Sequence, residues 1–403
     1  MENNNTPEIR FPGYSGDWEE RKIGEFLTES RISGTNGLKA KKLTVKLWGK
    51  GVVPKEEIYQ GSEETKYYIR KAGQFIYGKL DFLHQAFGII PDNLDGYEST
   101  LDSPAFDIAE NLNSFFFLEY VSRKQFYLYQ GTIANGSRKA KRIHSDTFFN
   151  MPLIMPSVEE QTDIGTFFKK IDDTIALHQQ ELTTLKQTKQ GFLQKMFPRE
   201  GESVPEVRFP GFTGDWEQRK LEEIANYRRG SFPQPYGKKE WYDEENGMPF
   251  VQVVDVGENL KLVDNTKQKI SKLAQPKSVF VEEGKVIITL QGSIGRVAIT
   301  QYSSYVDRTL LIFENYKVPI NKYYFAYVIQ QLFEKEKQKA PGGTIKTITK
   351  EALSNFLINL PSVEEQTQIG NFFKQLDDTI VLHESELEAL KATKKAFLQK
   401  MFV

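Results

Sequence analysis

The chain of 403 residues has no cysteine at all, so disulfides, thiol nucleophiles and cysteine-based zinc sites are excluded. Only four histidines are present, which leaves little material for a metal centre. No stretch of 18 or more apolar residues occurs, and Met1-Glu2-Asn3-Asn4-Asn5-Thr6 lacks the basic-then-apolar pattern of a signal peptide. A cytoplasmic protein without a membrane segment is expected. Charge of one sign is also missing: the formal net charge is −1, which argues against a simple polycationic nucleic-acid binder. Residues 24–150 and 222–359 carry only roughly +2 and +3, so any basic surface must be local. Nor is there a GxxxxGK[ST] phosphate loop, a G-x-G-x-x-G after a strand, an Asn/Asp-Pro-Pro-aromatic motif or an HExxH. Intrinsic catalysis is therefore not expected.

What the chain does have is an internal repeat. Pro7-Glu8-Ile9-Arg10-Phe11-Pro12-Gly13-Tyr14-Ser15-Gly16-Asp17-Trp18-Glu19 returns as Pro205-Glu206-Val207-Arg208-Phe209-Pro210-Gly211-Phe212-Thr213-Gly214-Asp215-Trp216-Glu217, an offset of 198. A longer match, from Pro156-Ser157-Val158-Glu159-Glu160-Gln161 to Met196-Phe197, returns at Pro361 and runs to Met401-Phe402, an offset of 205. From Ser157 to Phe197, 29 of 41 positions are identical to their partners, whereas the segments between the repeats show almost no alignable identity. The seven-residue difference in offset lies in the second intervening segment.

The repeated part reads as a helix. Ile164, Phe168, Ile171, Ile175, Leu182, Leu185, Phe192 and Met196 follow the alternating 4,3 spacing of a coiled-coil seam, interrupted by His178 and Lys189. In the second copy the seam is Ile369, Phe373, Leu376, Ile380, Leu387, Leu390, Phe397 and Met401, with His383 and Lys394 as interruptions. Proline, serine and two glutamates at the start supply an N-cap and acids at the positive end of the dipole. From Ile164 to Met196 such a helix is a rod of about 48 Å. One apolar stripe cannot be stable alone, and the other copy is the natural partner, antiparallel if the second helix returns toward the first head. His178 and His383 are expected to fix register rather than bind metal, and Trp18 and Trp216 to anchor the start of each head. One phenylalanine of each pair, Phe167-Phe168 and Phe372-Phe373, lies off the seam and could face a head or a partner.

The heads, residues 24–150 and 222–359, are read as α+β. Phe250–Val256 and Lys285–Leu290 are β-branched runs read as strands, and Asn321 to Lys337 as a helix. Three basic stretches stand out. One holds Lys39, Lys41, Lys42, Lys46 and Lys50, the next Arg138, Lys139, Lys141 and Arg142, and the third Arg228, Arg229, Lys238 and Lys239. A charge run is most often a solvated face; interleaved glycine and serine, however, let backbone approach a phosphate, and arginine can grip guanine edges. Lys141 and Lys346 fall at the same distance before the shared Pro-Ser, each in a glycine-marked polar loop that includes Thr344 in the second copy.

The Arg-Phe-Pro-Gly-(Tyr/Phe)-x-Gly-Asp-Trp-Glu start, the Pro-Ser-Val-Glu-Glu-Gln and Phe-Leu-Gln-Lys-Met-Phe helix ends, and Gly292-Ser293-Ile294-Gly295 followed by Asp307-Arg308-Thr309 together resemble the specificity subunit of type I restriction–modification enzymes. The resemblance covers essentially the whole chain. It implies target-recognition domains at 1–155 and 199–360, spacer helices at 156–198 and 361–403, and a pseudo-twofold repeat in which the antiparallel helices separate the heads. It further implies a non-catalytic protein that reads an asymmetric bipartite target in double-stranded DNA, one half-site per head. Two modification subunits bringing S-adenosylmethionine would methylate adenine, and restriction subunits would use ATP and Mg; none of these cofactors is expected on this chain. Ser293 and Arg296 join the basic residues above as candidate DNA contacts. The alternative is a coiled-coil scaffold whose heads bind proteins, which a lack of salt-dependent duplex binding would favour.

Overall fold

Repetition with a helical seam dictates a molecule in two similar parts, and a computed structural model has that organisation. It describes residues 5–56, 61–133, 142–339 and 353–403. The chain forms two compact units, residues 1–179 with 385–403 and residues 180–384. Each unit contains one head and part of both long helices. Among the described residues no helix is long and apolar enough to cross a membrane.

The long helices are Val158–Lys195 and Val363–Lys400, 38 residues each. Serine caps them as expected: Ser157 Oγ accepts from the Glu160 amide (3.4 Å) and Ser362 Oγ from the Glu365 amide (3.3 Å). Their packing is antiparallel. In the first unit Phe167 meets Phe397 edge-on at 5.1 Å while Asp172 pairs with Lys394; in the second, Phe192 meets Phe372 at 5.1 Å while Lys189 pairs with Asp377. None of the sixteen apolar seam positions is solvent-exposed. His178 faces Glu386 within the first unit (3.7 Å) and His383 faces Glu181 within the second (3.8 Å), so the polar interruptions meet acids.

Each head is closed by a short antiparallel pair joining its two ends. Glu19–Lys22 pairs with Pro152–Met155, and Glu217–Lys220 with Leu357–Leu360. Behind each pair lies a four-stranded antiparallel sheet of the same topology. Its order is Leu27–Ser30, Ala105–Ile108, Phe75–Tyr77, Phe87–Ile89 in the first unit and Ala225–Arg229, Leu310–Tyr316, Val286–Thr289, Val297–Ile299 in the second. The remaining strands differ. The first head adds the three-stranded sheet Ser33–Asn36, Lys66–Ile69, Glu98–Ser99 and the hairpin Leu43–Val45/Val52–Pro54. The second adds a four-stranded sheet in which Met248–Val251 and Ser304–Val306 are parallel. The expected strand over 250–256 stops at Val251 because the chain turns around buried Asp255, whose carboxylate accepts from the amides of Gln252 and Lys267 at 2.8 Å each.

A head helix covers each four-stranded sheet: Ser114–Ser122, and Lys322–Lys339 within the span expected from Asn321. Asn113 caps the first, its Oδ1 accepting from Phe115 and Phe116; Asn321 caps the second, accepting from Tyr323 and Tyr324. Phe116 and Phe117, like Tyr324 and Phe325, are completely buried against the sheet core.

The repeated motifs join head to helix. Arg10 forks onto Glu160 with two bonds of 2.7 Å and donates to the Gly16 carbonyl; Arg208 forks onto Glu365 (2.6 and 2.7 Å) and donates to Gly214. Both glutamates are 1% exposed, so the fork satisfies a carboxylate that water cannot reach. Gln161 and Gln366 accept from the amides of Asn113 and Asn321 at 3.0 Å. Gly165 and Gly370 face the same caps: an added Cβ would meet Asn113 Oδ1 at 2.3 Å or Asn321 Oδ1 at 2.6 Å. Trp18 and Trp216 are buried anchors, on Phe116 and Phe402 and on Tyr324 respectively. Phe167 and Phe372, the off-seam phenylalanines, rest on Phe11 and Phe209 of the head starts.

Candidate nucleic-acid interface

In an antiparallel sheet of order one, four, two, three, the end of the first strand lies beside the start of the last and the turn between the middle two. In the second head that rule gathers Arg229-Gly230, Asp307-Arg308-Thr309 and the turn Gln291–Arg296 at one end. The pieces are bonded together: the Gly230 amide donates to Leu310 (3.1 Å) and the Leu290 amide to Thr309 (2.8 Å). Gly292 and Gly295 are left-handed (φ +67° and +86°), and Thr289 Oγ1 closes the turn by accepting from the Arg296 amide at 3.0 Å. Arg229, Ser293, Arg296 and Arg308 are exposed there, while Ile294 plugs the core. Asp307 is 2% exposed and acts on the backbone, accepting from the Thr309 amide and hydroxyl and from the Tyr236 hydroxyl. Arg308 stacks over the Tyr236 ring at 5.0 Å, and burial with the Asp307 charge raises that phenol above its ordinary range.

The other second-head candidates divide. Arg228 is tied to Glu314 (2.6 Å) on the neighbouring strand; Lys238 pairs with Glu240 and, with Lys277, lies over Trp241 (5.1 and 4.7 Å); Lys239 is exposed. Thr344 and Lys346 lie outside the described residues.

The same end of the first head's sheet collects Arg31, the turn Gly78–Ala86 and Asp102–Pro104. Arg142 reaches Asp102 at 3.4 Å, and Arg31 pairs with Glu29 at 2.7 Å. Lys79 is 9% exposed, and burial depresses its ammonium below the ordinary lysine range. Arg70 underlies the cluster, fully buried, bonded to Ser99 Oγ and the Ser30 carbonyl (2.8 Å each); burial pushes it down to about 10. Lys39 and Lys41 are exposed, but Lys42, between them and the strand, is 5% exposed with its ammonium 5.4 Å from the Tyr67 ring. Arg138, Lys139 and Lys141 lie outside the described residues, immediately before Arg142.

Sequence reasoning missed Arg31, Lys79 and Arg70, which lie apart in the chain and meet only through strand pairing. Arg308 sat in a noticed motif; its neighbour Asp307 is the residue that makes the motif structural.

Comparison with known proteins bears on the chain as a whole. Residues 213–392 match the model of the type I restriction modification DNA specificity domain. A Methanocaldococcus jannaschii protein provisionally named as the MjaX type I restriction enzyme specificity subunit is 23% identical over 70% of this chain and 65% of its own length. The MjaVIII specificity subunit of the same organism is 24% identical over 62% of this chain and 61% of its own. The chain thus spans just under two thirds of these curated relatives. Among solved structures, the S subunit of the type I restriction–modification system of M. genitalium shares the fold with a TM-score of 0.62 at 11% identity, covering 99% of both chains. A chain from a type I R-M complex shares it with a TM-score of 0.53 at 21% identity, covering 98% of this chain and 99% of its own. Over residues 213–392 the chain is thus similar to the type I restriction modification DNA specificity domain, and over most of its length to type I restriction enzyme specificity subunits.

Proposed function

We propose that the chain is the non-catalytic DNA-specificity subunit of a type I restriction–modification complex and that each head reads one half-site of an asymmetric bipartite target. The observation that carries this reading is the convergence of cations at the corresponding end of the four-stranded sheet in each head: exposed Arg31 and Arg142 beside buried Lys79 in the first, exposed Arg229, Arg296 and Arg308 in the second. Arginine suits this task, since its fork can hold a guanine edge or a phosphate. Ser293 and the glycines of its turn offer backbone at close range.

In this reading residues 1–155 and 199–360 are the target-recognition domains, and the helices within 156–198 and 361–403 set the unread gap. Two modification subunits would carry S-adenosylmethionine and methylate adenine, and restriction subunits would use ATP and Mg; this chain would hold none of those groups. Such partners would clamp much of the phosphate backbone, which fits a specificity chain of net charge −1.

Mapping methylated adenines in a genome that carries the system tests the reading. A single asymmetric bipartite motif is expected. Replacing residues 24–150 with another head is expected to change one half-site only, and a change in both would defeat independent reading. Adding a heptad to both helices lengthens each by about 10.5 Å, which is expected to widen the gap by about three base pairs and leave both half-sites unchanged. Failure of the assembled complex to protect any duplex in footprinting would overturn the proposal.

A further inference from the structure

The four tryptophans divide sharply. Trp18, Trp216 and Trp241 are 2%, 3% and 4% exposed, whereas Trp48 is 57% exposed. Trp48 sits at the tip of the first head's hairpin, in Lys46-Leu47-Trp48-Gly49-Lys50-Gly51, and its φ of +63° places a bulky aromatic in the left-handed region. Gly49 and Gly51 beside it also have positive φ and could take that conformation without cost. An indole kept where glycine fits better, and left in water, points to a use for the indole itself.

The tip is held firmly in that conformation. The Trp48 amide donates to the His84 carbonyl (2.7 Å), the Gly49 amide to Gln85 (3.0 Å) and the Lys46 amide to Gly51 (2.9 Å), and the indole meets the His84 ring edge-on at 5.4 Å. His84 in turn faces Asp81 at 3.5 Å. Both belong to the turn Gly78–Ala86, so Trp48 stands at the sheet end that gathers Arg31, Lys79 and Arg142. Lys46 and Lys50 flank it, exposed, and Leu47 and Leu80 add apolar surface, 38% and 48% exposed. A rigid apolar wedge between two cations fits the face of a base at an unstacked step, with phosphates on either side.

Resting on the reading of the chain as a DNA-specificity subunit, we infer that Trp48 stacks on a base within the first half-site and that the first head recognises DNA it has locally unstacked. No described tryptophan of the second head is exposed.

The test uses the full chain assembled with its modification subunits, and duplexes carrying the mapped target or a scrambled one. The part of the tryptophan fluorescence that acrylamide quenches and that Trp48→Phe removes is expected to become shielded by target duplex. Trp48→Ala is expected to weaken target binding about 5- to 100-fold, Trp48→Phe to retain most of it, and Trp48→Gly to lose it while melting at the same or a higher temperature. Wild-type target affinity in Trp48→Ala overturns the inference. So does a defect confined to recruitment of the modification subunits, which would make Trp48 a protein contact. Should the wild-type complex itself prefer no duplex, the specificity reading fails; should it prefer the target and Trp48→Ala do likewise, only the inference fails.

Discussion

In the first unit Arg10 forks onto Glu160, Asn113 caps the head helix over Gly165, and Lys394 ties Asp172 to Glu119. In the second, Arg208 forks onto Glu365, Asn321 caps over Gly370, and Lys189 meets Asp377, which also accepts from Tyr327. Away from these junctions the units part company: a three-stranded sheet and a hairpin with an exposed tip in one, a second four-stranded sheet with a parallel pair in the other. Identity within the chain therefore tracks the junction between head and helix, not the head. A carboxylate 1% exposed tolerates few partners, whereas an outer loop can change without disturbing any core.

The largest expected effect comes from removing one fork. Arg10→Ala strands Glu160 in a dry site and is expected to cost about 3–5 kcal/mol, with Arg208→Ala matching it in the second unit; urea unfolding checks both. Costs differing by more than about 2 kcal/mol would break the equivalence, since the same class of buried pair is lost in each.

Next come the glycines. Gly165→Ala drives a Cβ to 2.3 Å from Asn113 Oδ1 and 2.9 Å from the Phe116 amide nitrogen, so the capped helix must shift, at about 2 kcal/mol. Gly370→Ala meets Asn321 Oδ1 at 2.6 Å and is expected to cost somewhat less, read from melting temperatures.

The seam lysines sharpen the comparison through pH. Burial pushes the Glu119 carboxyl up to about 7 despite Lys394. The unfolded chain releases that proton near its ordinary 4.5, so the folded state holds it over the interval between. The stabilisation is present below about 4.5 and is lost as pH rises to about 7, at up to about 1.4 kcal/mol per pH unit within that span. Amide exchange in Ser114–Ser122 is expected to quicken across that window, after correction for intrinsic exchange rates, and Glu119→Gln to flatten the response. The second unit places Tyr327 at the corresponding position and is expected to show no such trend there.

The smallest effect is a gain. Gly191 on the first long helix has nothing within 4 Å of an added Cβ, and its counterpart is already Ala396. Gly191→Ala is expected to stabilise by about 0.5–1 kcal/mol, seen as a higher urea midpoint.

Much of the frame was legible because it is periodic or duplicated. The seam, its interruptions at His178, Lys189, His383 and Lys394, the serine caps and the tryptophan anchors all follow from spacing. The head helices are equivalent too, yet Asn113-Ser-Phe-Phe and Asn321-Lys-Tyr-Tyr share capping chemistry more than identity. What spacing could not supply was long-range pairing. Arg31 and Lys79 lie 48 residues apart in the chain and become neighbours because Ser30 pairs with Ala105 and Ala105 with Ile76. Lys42 shows the opposite failure. It resembles its exposed neighbours in sequence, but it bridges to Glu98 beside the strand Leu43–Val45, which turns its side chain inward. Arg308 was noticed in its motif but not named as a contact, because nothing local distinguishes an aspartate that closes a turn, as Asp307 does, from one that faces solvent.

Lys189 with Asp377 and Lys394 with Asp172 are one contact written twice, since Asp172 and Asp377 occupy matching places in their helices. Each helix accordingly bears both the cation and the anion that its counterpart requires, as lock and key on the same rod. Such a surface is complementary to an inverted copy of itself, the condition for an isologous contact. The covalent duplication thereby preserves within one chain the bonding pattern of a symmetric pair, while releasing the two heads from any need to be alike.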